Sequence, residues 1–134
     1  MSRPLVIAVP RGSLMTETLD RLDSAGVDTS EVRANDRKLH FPEVGIVTVR
    51  PGDVPTYVIS GAADVGVTGK DVISEKSDGN IVEIADLDFG GCTMVVASQA
   101  GDEDPIDVAE HRLGVIRIAT KYPKAATEWF NKKG

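Results

Sequence analysis

Residues 45–73, GIVTVRPGDVPTYVISGAADVGVTGKDVI, read as strand, turn, short helix, strand, turn and helix. Ile46, Val47, Thr48 and Val49 form a brief run with β-branched side chains, and the run stops at Arg50-Pro51-Gly52. That pattern predicts a short buried strand ending in a sharp turn. Asp53 is the expected cap of the next helix, Pro55 is tolerated in its first turn, and Gly61 ends it. Residues 65–68 predict a second strand, and Gly69-Lys70 turns into a second helix with Asp71 as its expected cap. Two strands joined through so short a helix are expected to be parallel neighbours with a right-handed crossover. Loops 50–53 and 68–71 then lie side by side at the strand C-terminal ends, where open α/β sheets bind ligands.

Working outward, the chain has 134 residues, 41% of them apolar and 27% charged, as in a globular domain or two small lobes. No apolar run approaches the ~20 residues that cross a bilayer, and residues 1–10 lack the form of a signal peptide. The expectation is a cytoplasmic protein with no membrane partner. Cys92 is the single cysteine, so no intrachain disulfide can form; a small buried residue at the start of a strand is expected there. The net charge of −6 is uneven: residues 1–50 carry 7 basic and 7 acidic side chains, residues 51–110 carry 2 and 13, and residues 111–134 carry 6 and 1. An acidic middle makes nucleic acid a poor partner. A small anion suits the first fifty residues, where Arg11, Arg33, Arg37, Lys38 and Arg50 concentrate.

Residues 5–9 are continuously apolar and predict an interior strand. After Pro10-Arg11-Gly12, Ser13 can cap a helix running to about Ala25, with Met15, Leu19 and Leu22 at helical spacing and Gly26 as the stop. Strand, glycine turn and helix N-terminus together offer amides to an anion. Residues 28–36 are polar and read as a loop. Arg37-Lys38-Leu39-His40-Phe41 alternates like a half-exposed strand, hairpinned to the strand at Ile46. Further on, residues 81–87, 92–97 and 115–119 read as strands, and residues 100–110, with five carboxylates, as an exposed loop. The final helix opens at residues 120–123 and carries Ala126, Trp129 and Phe130 on one face. Gly90-Gly91 reads as a hinge near residues 88–91, dividing a first lobe, 1–89, from the opening part of a second, 90–134. Neither His40 nor His111 has partners at ligand spacing, so no metal site is expected on side chains alone.

Together, VPRGSL, RKLHF, VRPGDVPTYVISGAADVGVTGKDV, DLDFGGC and RIATKYPKAATEWFNKKG resemble ATP phosphoribosyltransferase, the catalytic chain of the first step of histidine biosynthesis. The resemblance implies an α/β, periplasmic-binding-protein-like (type II) fold of two lobes with substrates in the cleft. It implies transfer of 5-phosphoribosyl from 5-phosphoribosyl 1-pyrophosphate (PRPP) to N1 of ATP, giving phosphoribosyl-ATP and pyrophosphate, with Mg²⁺ on the substrate phosphates. Such a displacement needs no protein nucleophile when the incoming nitrogen and the departing pyrophosphate are held in line, and arginine forks suit the phosphates.

Carried over by motif position, Arg37 contacts the pyrophosphate, with Arg11 and Arg50 as further anion contacts. Asp71, Val72 and Tyr122 fall where the family holds the adenine nucleotide, Asp88 is a candidate on the same wall, and Gly12 and Ser13 belong to the substrate-binding turn. Structural alternatives stand beside these: Asp71 as helix cap, Tyr122 as core packing, Arg50 in a surface ion pair.

Two departures are visible. Many family members have Lys-Gly-Arg where this chain has Arg11-Gly12-Ser13, so the charge after the glycine is absent. The acidic, glycine- and threonine-containing loop with which the family grips the PRPP 5-phosphate has no match either, so the second lobe is expected to be incomplete, as in a cloned or proteolytic fragment or an incomplete gene product. A homo-oligomer is expected from unpaired sheet edges, and a regulatory subunit is possible if the parent is a short form. The competing class is a non-catalytic half-fold that binds a nucleotide or anion without chemistry.

Overall fold

A computed structural model describes residues 3–101, 104, 106–108, 111 and 114–133. The chain separates into two compact units, one up to Gly90 and one from Gly91 onward.

The first unit is an α/β structure on a four-stranded sheet. Its strands are β1 (Ile7–Pro10), β2 (His40–Phe41), β3 (Ile46–Val49) and β4 (Val65–Gly66), in the order β2-β3-β1-β4. β1 runs parallel to both β3 and β4, and β2 pairs antiparallel with β3, which makes the expected hairpin. One expectation is corrected here: β3 and β4 are not neighbours, because β1 lies between them. β1, the most continuously apolar strand, is one of the two interior strands, with β3 and β4 on its edges and cover on both faces.

Alternation along β1 and β3 divides the core between the two faces of the sheet. Val9 and Ile46 pack with Leu19, Val32 and Phe41 on one face, beneath helices α1 (Met15–Ser24) and α2 (Ser30–Ala34). Ala8 and Val49 pack with Val54 and Ala63 on the other, beneath helix α3 (Val54–Ile59). Burying each of the larger side chains contributes about 1.5–3 kcal/mol. Gly66 lets α3 approach the sheet, because a Cβ there would run into Val54 and crowd Val58.

Several local expectations are corrected. Residues 28–36 are not a loop throughout, since α2 forms over five of them around the single buried residue Val32. Asp53 occupies an N-cap position after a short 3-10 turn, Pro51–Asp53, but its side chain makes no cap hydrogen bond. Helix α4 (Lys70–Lys76) is capped at Gly69 rather than Asp71, and α1 at Leu14 rather than Ser13.

Residues 81–87, 92–97 and 115–119 form no strands. Val82 and Ile84 are 80% and 79% exposed and Val95 is 74% exposed, whereas Ala8 and Val9 are fully buried. Apolar β-branched composition supplies a face to bury, but a strand also needs a partner backbone, and none is placed beside these segments among the described residues. Cys92 is correspondingly exposed, not buried. Residues 106–108 are helical, so the expected loop over 100–110 contains a helical turn; its residues 102, 103, 105, 109 and 110 lie outside the described residues.

In the second unit helix α5 (Pro123–Lys133) forms as expected. Trp129 and Phe130 meet edge to face with ring centres 4.8 Å apart, yet no residue of the helix is buried. Among the described residues no helix is long and apolar enough to cross a membrane.

Candidate functional site

Parallel β1 and β3 end together at Pro10 and Val49, and antiparallel β2 begins at that same end of the sheet. The Thr48 amide donates to the Leu39 carbonyl at 2.8 Å, one step beyond the His40–Val47 pair. Arg37 lies in the bend just ahead of β2 and Arg50 directly follows β3, so both belong to this end of the sheet. Both arginines are exposed, and among the described residues neither guanidinium has a hydrogen bond or an ion pair. Two positive forks that make no ion pair among the described residues therefore lie at one sheet end, an arrangement suited to a multivalent anion.

Arg11 follows β1, on the other side of β3 from β2. Its backbone amide donates to the Val49 carbonyl at 2.7 Å, and its Nη2 donates to the Asp36 carbonyl at 2.5 Å. Gly12 takes φ +91°, a left-handed conformation that glycine adopts without a Cβ penalty, and the Met15 amide donates to its carbonyl at 3.1 Å. Ser13 is exposed beside it. The stretch around Asp88 reaches this turn from the far end of the unit, since a Cβ on Gly90 would strike the Leu14 side chain. Asp88 itself has φ +58°, which aspartate tolerates better than most residues, and its amide donates to Asp86 Oδ1 at 2.9 Å.

Loops 50–53 and 68–71 lie together even though their strands are not adjacent. Thr68 Oγ1 donates to the Pro51 carbonyl at 2.8 Å and stitches them across the end of β1. Asp71 lies in the first turn of α4, with its carboxylate folded back so closely over Gly69 that a Cβ on the glycine would strike it. Val72 is 9% exposed, so its side chain anchors the helix and only its backbone is free to meet a ligand. Lys70 pairs with Glu83 at 3.6 Å. Tyr122 belongs to the second unit. It stands just ahead of α5, its amide donating to Thr120 Oγ1 at 2.9 Å and its carbonyl accepting from the Ala126 amide at 3.0 Å.

The first unit thus brings together Arg11, Gly12, Ser13, Arg37 and Arg50 at one sheet end, with Asp71 and Val72 joined to them through Thr68 and Asp88 through Gly90. Sequence reasoning missed Thr68 and the Asn35-Asp36 segment. A hydroxyl bound to a carbonyl and a carbonyl bound to a guanidinium carry no spacing signature that could have shown them.

The shifted ionisations lie away from this end. The Thr29 hydroxyl, then Arg33, hold the Asp23 carboxyl below its ordinary range, and Ser30 does the same for Asp28. Asp64 is lowered by the Val6 amide first and then by Arg3, while Arg33 is raised mainly by Asp23 and Asp20. Among the described residues no group of three or more His, Cys, Asp or Glu side chains could hold a metal ion.

Comparison with known proteins places the chain in a lineage. Residues 50–134 match the family described as HisG: ATP phosphoribosyltransferase. The chain is similar to proteins named ATP phosphoribosyltransferase from Rubrobacter xylanophilus, 39% identical over 98% of this chain, and Chromobacterium violaceum, 42% identical over 97%. The same name belongs to a relative in Geobacter metallireducens, 40% identical over the whole chain. The chain spans 62% of the length of the first two relatives and 64% of the third.

Proposed function

The chain belongs to the ATP phosphoribosyltransferase family, and on that premise we propose that its sheet end holds the pyrophosphate of PRPP while ATP attacks the sugar. The observation that carries this is that the exposed arginines Arg37 and Arg50, which make no ion pair among the described residues, lie at the same sheet end as the Gly12 turn. The N1 lone pair of adenine forms a bond to C1 of the ribose as the bond from C1 to the pyrophosphate oxygen breaks, its electrons leaving with the pyrophosphate. Positive forks at the leaving group stabilise that departing charge more than they stabilise the intact substrate, which is what lowers a barrier. Arg11 adds a third positive charge at the strand end. Gly12 and Ser13 offer backbone amides, and Asp71, the Val72 backbone, Asp88 and Tyr122 are assigned to the adenine nucleotide.

Mg²⁺ belongs to this reading as a companion of the substrate phosphates. With no three-ligand cluster among the described residues, an ion would take much of its coordination from phosphate oxygens, and it would supply further neutralisation of the leaving group. The finer features travel with the same reading: a periplasmic-binding-protein-like two-lobed architecture, a cytoplasmic setting, a homo-oligomer, and a regulatory subunit if the parent is a short form.

The test is release of pyrophosphate from ATP and PRPP with Mg²⁺, alongside titration of each substrate. Release that requires both substrates supports phosphoribosyl transfer. A second reading, binding without turnover, draws on the exposed apolar segments 92–97 and 115–119, which no strand covers among the described residues. ATP binding with no pyrophosphate release would select it and count against catalysis by this chain.

A further inference from the structure

We infer that Arg11 is a positioning residue that holds Arg37 in place, rather than a ligand of the anion itself. The inference rests on the reading above, in which Arg37 contacts pyrophosphate. Arg37 needs an external hold. It stands outside β2, which is regular only over His40–Phe41, and the turn before it is exposed and polar.

Besides the Lys38–Glu31 ion pair, two contacts fasten that turn. The Asn35 side-chain oxygen accepts from the Arg37 and Lys38 amides at 3.3 and 3.2 Å, which fixes the backbone locally. The Arg11 guanidinium then donates to the carbonyl of Asp36, the residue between them, at 2.5 Å. Arg11 is itself tied to the sheet, through its own amide on the Val49 carbonyl. A connected path therefore runs from the paired β1–β3 ladder through Arg11 to the Arg37 backbone. Lys38 is held besides, by its ion pair with Glu31 of α2, but Arg11 supplies the direct tie from the β1–β3 ladder to the peptide just ahead of Arg37.

The contrast among the three arginines points the same way. The guanidinia of Arg37 and Arg50 are exposed and have no hydrogen bond or ion pair among the described residues, whereas Arg11 is half-buried and already committed to a carbonyl. A guanidinium turned toward Asp36 orders the loop before any ligand arrives. Order of that kind reduces the entropy that binding must otherwise overcome.

The experiment uses inorganic pyrophosphate as the probe, with Arg11→Met, Arg37→Met, the double variant and Asn35→Ala. Calorimetry is expected to show about tenfold weaker binding for Arg11→Met, and less than about twofold further loss when that change is added to Arg37→Met, because one residue acts through the other. Asn35→Ala, which removes no charge, is expected to weaken binding in the same direction. Amide signals of residues 35–38 should move and exchange faster in Arg11→Met without any ligand. Additive losses in the double variant would make Arg11 a direct contact and overturn the inference. If Arg37→Met binds pyrophosphate like the wild type, the site reading fails. The inference is then decided by the amides alone, and unchanged 35–38 signals in Arg11→Met overturn it.

Discussion

The two ends of the sheet treat charge in opposite ways. At the start of β1 and β4, Asp64 accepts from the Val6 amide at 2.8 Å and from both terminal nitrogens of Arg3, so the carboxylate and the guanidinium are consumed by each other. At the finish of β1 and β3, Arg37 and Arg50 stand exposed with no acidic partner among the described residues. The first end is built to close the fold, and its charges are satisfied. The second holds positive charge that makes no ion pair among the described residues, and the proposed anion site rests on it.

Predictions that break this contrast are ordered by size. Phe41→Ala removes a side chain 1% exposed in the core on one face of the sheet, and urea unfolding should show a loss of about 3–5 kcal/mol. A loss below about 1 kcal/mol would mean that β2 is not packed as described. Arg37→Ala should weaken pyrophosphate-bearing ligands by roughly tenfold to a hundredfold, the worth of a charge-assisted hydrogen bond, while AMP binding and thermal stability hardly change. Equal weakening of AMP and pyrophosphate in a binding titration would remove Arg37 from the leaving-group site.

Thr68→Val deletes the stitch between loops 50–53 and 68–71, with an expected loss of about 1 kcal/mol by thermal denaturation and weaker binding of both substrates. The smallest effect is at the closed end. The Asp64 carboxyl is lowered in the folded state, so its stabilisation is present above the unfolded value, about pH 3.9, and disappears as the pH falls through the folded value. The melting-temperature gap between wild type and Asp64→Asn should therefore be present at neutral pH and shrink below about pH 4. A gap that widens in acid would reverse the assignment.

The sheet was legible where composition and pairing agree. β1 and β3 follow from apolar runs bounded by Pro10 and by Arg50-Pro51, and the hairpin from the alternation into Phe41. Strand order was not legible, because β1 takes its place between β3 and β4 through contacts distant in sequence, and a short crossover helix suggests the simpler neighbour pairing. Residues 92–97 show the limit most plainly. CTMVVA is as strand-like in composition as residues 5–9, yet it lies exposed, since pairing depends on a second segment that composition cannot report. Helix α2 was hidden for the opposite reason, with only Val32 buried among polar residues. At the site, the arginines could be named from motif positions. Their grouping depends on Thr68 and on the Asp36 carbonyl, whose partners are set by the fold alone.

The most direct test of the account is a residue-by-residue amide map of the protein titrated with inorganic pyrophosphate. Binding at the open end predicts saturable shifts at residues 11–13, 35–38 and 50–53, with Asp64 and Val6 at the closed end unmoved. Shifts centred on residues 3–6 and 64, or no saturable shift at residues 37 and 50, would contradict it.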